Sequence, residues 1–159
     1  MSDDVNFHRR ISFFRTASGH GEPAEMLDQT QNPLLQDSGF MLDGLPLCFN
    51  DCFRVVHDVF GHALERANFH PSGEEHAWRS HLRMYSKLAA AAMTTETRAQ
   101  NCWVNFGPHM RSRVTGELLQ VGDEGWLPIP DRPYAAQKML LLPEEFCRID
   151  QHGAPCFGG

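Results

Sequence analysis

Apolar residues crowd the stretch that follows Asn50. Phe53, Val55, Val56, Val59, Phe60, Ala63, Leu64 and Ala67 cover nearly the whole circumference of a helix, the pattern of a helix buried in the centre of a domain. Asn50 or Asp51 can cap it, and no proline follows until Pro71, so a first helix is expected over about residues 51–67. Asn68 to Gly73 reads as a turn, and Ser72 with Glu75 as a capping box for a second helical region. There Trp78, Leu82, Tyr85, Ala89, Ala92, Glu96, Ala99 and Trp103 recur at spacings of four and three, an apolar stripe with one carboxylate in it. Ser86 and Lys87 interrupt the stripe and mark the place for a bend.

Elsewhere the periodicity is weaker. The first 50 residues carry glycines and prolines between short apolar pairs, which predicts an irregular N-terminal arm with one short helix near Glu22–Leu27. Ser112–Thr115 and Leu118–Val121 read as short strands, and Tyr134–Leu142 as a final helix ended by Pro143. The expected fold is mainly α: a compact single domain around a central buried helix, with a few short strands and long loops. A length of 159 residues suits one domain.

Composition narrows the function. No apolar run approaches the roughly 20 residues of a membrane span, and the first 15 residues lack the apolar core of a secretory signal, so a cytoplasmic protein is expected. Against 14 basic residues stand 20 acidic ones, for a net charge of -6, without a Lys/Arg run to track a phosphate backbone; nucleic acid is not an expected partner. Five cysteines with no CxxC pair suit reduced thiols.

Histidine stands out, with nine in the chain and five of them between residues 57 and 81. Two, in His57-Asp-Val-Phe-Gly-His62, lie on the otherwise apolar first helix. On an ideal α-helix their i, i+5 spacing separates the rings by about 140°. A local π-turn reduces this to about 50°, and such bulges concentrate at functional sites. Gly61 lowers the steric cost of that distortion. Both imidazoles can then meet one ion.

A third ligand is needed, and a carboxylate on a buried stripe must be protonated, paired or metal-bound. That makes Glu96 the natural choice. A straight antiparallel hairpin about Pro71 would instead place a residue near 80 opposite His62, favouring His81 as the reserve ligand and requiring a bend for Glu96. Two histidines and a carboxylate form the facial triad of non-haem Fe(II), although the same donors also hold zinc. Asp58, next to the first ligand, is placed to orient bound water. Arg98 is a candidate anchor for a substrate carboxylate, and Tyr85 and Trp103 are candidates to stack on an aromatic substrate.

These residues resemble the pterin-dependent aromatic amino acid hydroxylases in their bacterial phenylalanine hydroxylase form. His57-Asp-Val-Phe-Gly-His62 is similar to that family's HDxxGH signature, and Thr94-Thr-Glu96 to its Thr-x-Glu context. The resemblance covers about residues 53–98. It implies catalytic iron on His57, His62 and Glu96, O2 as co-substrate, a reduced pterin as electron source, and contact between Asp58 and the pterin or its waters. The expected function is thus a mononuclear Fe(II) oxygenase acting on a small, aromatic substrate. The alternatives are a zinc hydrolase with Asp58 or Glu65 as base, and a non-catalytic binding protein stabilised by metal.

Overall fold

Asp51 starts the first helix from inside it. Its side chain sits at the N3 position and accepts from the Cys48 backbone N–H at 3.1 Å, so Cys48, two to three residues earlier than expected, is the N-cap. The same carboxylate accepts from the Thr16 backbone N–H and hydroxyl at 2.7 and 2.9 Å, tying the N-terminal arm to the helix. These hydrogen bonds outweigh the cost of its burial and hold the Asp51 pKa below the ordinary carboxylate value. In the computed structural model, which describes residues 1–13, 15–16, 32–135 and 140–149, the protein is mainly α.

Helix α1 spans Phe49–Val56 and continues without a break as a π-helical segment, His57–Ala63. The face carrying Gly61, His62 and Ala63 is buried, while Phe60 and Leu64 reach the surface. A turn leads to α2, Pro71–Leu82, whose first helical residue is Pro71 and whose N-cap is His70. Proline suits the first position because the N–H it lacks would be unpaired there anyway. Ser72 therefore lies inside the helix, and the expected Ser72–Glu75 capping box does not form. After a break at residues 83–86 the chain resumes as α3, Lys87–Thr94, where the Ser86 side chain accepts from the Ala89 N–H. The bend expected at Ser86 and Lys87 is this cap. A second π-helical segment, Thr95–Ala99, leads into α4, Gln100–Phe106.

The core lies where α2, α3 and the first π segment meet. Ala63, Ala77, Trp78, Ala90 and Met93 are the buried apolar residues of these elements, and Met110, in the turn after α4, is buried as well. Trp78 is fully enclosed and donates its ring N–H to the Thr94 hydroxyl at 2.9 Å. Arg98 stacks its guanidinium 4.4 Å over the same ring and pairs with Glu75 at 2.9 Å.

Strand content differs from expectation. Inside the N-terminal arm, Asp37–Leu42 (β1) and Leu45–Cys48 (β2) form an antiparallel hairpin. Asp43 and Gly44 both have positive φ, 51° and 76°, the geometry of a two-residue primed turn. The segments expected as strands at 112–115 and 118–121 form only a turn closed by one bridge, Arg111 to Leu118. Of the expected final helix, residues 134, 135 and 140–142 are non-helical and 136–139 lie outside the described residues, as does the expected short helix near Glu22–Leu27. No helix among the described residues is long and apolar enough to cross a membrane.

Candidate metal centre

The π segment brings its two histidines together. Its wider turn carries hydrogen bonds from residue i+5 to residue i, seen at Leu64 N–H to Val59 O (2.9 Å) and Ala67 N–H to His62 O (3.0 Å). As a result the rings of His57 and His62 meet edge to face with Nε2 atoms 3.0 Å apart. Gly61 has a second reason to be glycine. A Cβ there would lie 2.9 Å from Ala77 Cβ and 2.9 Å from His81 Nε2, so any side chain would push α2 off the π segment.

Glu74 completes the cluster from the first turn of α2. Its Oε2 lies 3.3 Å from His57 Nε2 and 3.4 Å from His62 Nε2. The preceding turn sets its position: Asn68 Oδ1 accepts from the His70 N–H at 3.0 Å. A Cβ on Gly73 would stand 1.9 Å from the Asn68 carbonyl oxygen, an approach that only glycine permits. Among the described residues, His57, His62 and Glu74 are the group whose ligand atoms all lie within 4.8 Å of one another.

The donor set fits a metal ion. His62 is fully buried, stacks on Phe69, and directs Nδ1 at the carbonyl oxygens of Ala67 (3.3 Å) and Asn68 (3.1 Å). Both are acceptors, so Nδ1 carries the hydrogen and neutral His62 presents a lone pair at Nε2. That lone pair faces a carboxylate oxygen and a third ring nitrogen, and one proton on His57 cannot satisfy both. A cation can. Ligands about 2.1 Å from an ion are separated by about 3.0 Å at right angles and about 3.4 Å at the tetrahedral angle. The three observed separations, 3.0, 3.3 and 3.4 Å, fall in that range.

Electrostatics follow from the same contacts. Burial pushes the Glu74 carboxyl up, but hydrogen bonds and charge from His57 and His62 overcome this and hold it at about 2. Burial favours neutral His62, yet the Glu74 carboxylate raises its pKa above the ordinary value. His62 must lose that proton to ligate through Nε2, whereas Glu74 stays ionised near neutrality. Metal affinity is therefore expected to rise with pH and level off once His62 is neutral, falling about tenfold per pH unit on the acid side. Metal titrations between about pH 5.5 and 8 check this.

The cluster opens on a cavity of about 560 Å³, a size that suits a small molecule. Phe53, Phe69 and Tyr134 contribute aromatic surface to its wall, and His57, Asp58, Glu74 and Glu96 contribute polar groups. Burial raises the pKa of Asp58 against the charges of His57, His62 and Arg54. It raises Glu96 likewise, against Arg54 and a hydrogen bond from Gln100. No family model, curated protein or solved structure matches the chain. The likeness to the hydroxylases rests on the hexapeptide and Thr94-Thr-Glu96 alone.

Several residues singled out in the sequence stand elsewhere than expected. Glu96 faces the cavity, with Oε2 accepting from Gln100 Nε2 at 2.8 Å, but it is not in the converging group; Glu74 is. His81, the reserve ligand, sits behind His57, its Nε2 3.1 Å from the Nδ1 of that ring, on the side away from the other ligands. Arg98 is held by Glu75 and Trp78, Tyr85 sets its ring edge-on to His81, and Trp103 lies beside His109. None of these three lines the cavity. Arg98 is buried on the packed side, Tyr85 lies in the break between α2 and α3, and Trp103 is part-exposed, while Glu96 on the π segment at residues 95–99 faces the cavity.

Proposed function

We propose that the chain is a mononuclear non-haem Fe(II) oxygenase, with the ion on His57, His62 and Glu74 and a small, aromatic substrate in the adjoining cavity. The observation that carries this reading is the convergence of two Nε2 atoms and one carboxylate oxygen beside an aromatic-walled cavity. Two imidazoles and a carboxylate leave coordination positions open. Bound there, iron supplies the redox chemistry that makes O2 reactive, with electrons from an external reductant for which the resemblance suggests a pterin.

The chain's own residues do the rest. Phe53, Phe69 and Tyr134 offer an apolar wall to the substrate and keep water from the reacting centre. Asp58 and Glu96, both pushed up by burial, present carboxyl groups to the cavity for proton transfer. Glu65, the other base weighed for a hydrolase, is engaged outside the cavity by His76 and Ser80. Metal analysis of anaerobically purified protein, with O2 uptake measured on aromatic substrates and a reduced pterin, tests the reading. Stoichiometric iron and substrate-dependent O2 uptake are expected. Stoichiometric zinc without O2 uptake would favour hydrolysis with Asp58 as base, and a chain that takes up no metal overturns the proposal.

A further inference from the structure

We propose that His81 is a positioning residue for the metal centre, an inference that rests on the metal-site reading above: the Nδ1–H of His57 donates to His81 Nε2, which holds the His57 ring with Nε2 turned to His62 and Glu74. The two nitrogens are 3.1 Å apart, and His81 is fully buried. One hydrogen serves this contact, and its location decides whether His57 can ligate. If it sits on His81, neutral His57 carries its own hydrogen on Nε2, against His62 and Glu74, and has no lone pair for an ion. If it sits on His57 Nδ1, the Nε2 lone pair is free. An ion at Nε2 therefore requires His81 to accept, and an acceptor on the far nitrogen also makes the ligating nitrogen more basic.

Local packing shows the pair to be held in place. The His81 ring fills the space that a Cβ on Gly61 would need, and Tyr85 closes its other side edge-on at 5.7 Å. His81 Nδ1 is buried with no partner among the described residues, so the hydrogen bonding of this ring is directed at His57. A histidine kept for packing alone is replaceable by an apolar residue of similar size; one kept as an acceptor is not. The glycine in the hexapeptide thus serves the π-turn and the approach of His81 together.

The test is titration of wild type, His81→Leu and His81→Gln with Co(II), following visible absorbance, with the melting temperature of each metal-free protein measured beside it. Glutamine can place its amide oxygen near the position of Nε2 and keeps an acceptor. His81→Leu is expected to lose about 10–100-fold in affinity, and His81→Gln to stay within about threefold of wild type. Leucine binding as tightly as histidine, or glutamine failing as badly as leucine in a folded chain, overturns the role of His81 and leaves the metal site standing. Wild type that takes up no Co(II) overturns both. Should His81→Leu not fold, the proton spectrum of zinc-loaded wild type decides: a slowly exchanging His57 Nδ1 proton supports the hydrogen bond, and its absence overturns it.

Discussion

His57→Ala is expected to remove the metal from a chain that still folds. His57 supplies one of three ligand atoms and, with Glu74, faces the cavity, while His62 is fully buried. Its loss leaves His62 and Glu74 as a two-ligand remnant and His81 without its partner. Affinity should fall by on the order of 100-fold or more, taking metal-dependent activity with it. The fold should survive because His57 lies outside the core around Trp78. A second readout separates metal loss from unfolding. An ion that binds only the native chain stabilises it by about 2.7 kcal/mol at a hundred times its Kd, so wild type should melt higher when metal is added and His57→Ala should not. A variant that keeps stoichiometric metal would remove His57 from the site.

Trp78→Ala is expected to have the largest effect on stability. The indole is completely enclosed, has its N–H paired with Thr94, and lies under the Arg98 guanidinium. Truncation leaves a cavity, orphans the Thr94 contact and takes the ring from beneath Arg98, for a loss of about 3–5 kcal/mol. For a chain of this size each kcal/mol moves the melting temperature by about 2–4 °C, so a drop of roughly 6–20 °C is expected by calorimetry. Trp78→Phe should recover much of the loss, since it restores apolar volume without the hydrogen bond. A drop below about 3 °C for the alanine variant would show that the core does not centre on this residue.

What the sequence revealed, and what it hid, follows the range of the interactions. The i, i+5 spacing of His57 and His62 on an apolar helix was readable as a π-turn because the distortion and its reason lie within six residues. Ser86 announced its bend in the same way, through a local cap. Glu74 was hidden by arithmetic across the turn. Pivoting a straight hairpin on Pro71 put a residue near 80 opposite His62, whereas the first helix ends at Ala63 and α2 begins at Pro71, so the chain turns between them. A turn centred there moves the facing position back into the first turn of α2, where Glu74 lies beside two imidazoles. Asn68 and Gly73, both in the predicted turn, were the available signal: a glycine at that position admits the close return of the chain.

The roles expected of Arg98, Tyr85 and Trp103 failed for a different reason. A stripe of aromatic and basic residues at helical spacing does not show which side faces a cavity and which faces the core, and the second π segment changes the phase between Glu96 and Arg98. The hairpin at Asp37–Cys48 was written in Asp43-Gly44, flanked by Leu42 and Leu45, but glycine and proline nearby suggested an irregular arm.

The most direct measurement is the metal content of Glu74→Ala and Glu96→Ala, each purified anaerobically beside wild type. With His57, His62 and Glu74 as ligands, Glu74→Ala loses the ion and Glu96→Ala keeps it at wild-type stoichiometry. Retention by Glu74→Ala together with loss from Glu96→Ala would contradict this and make Glu96 the third ligand.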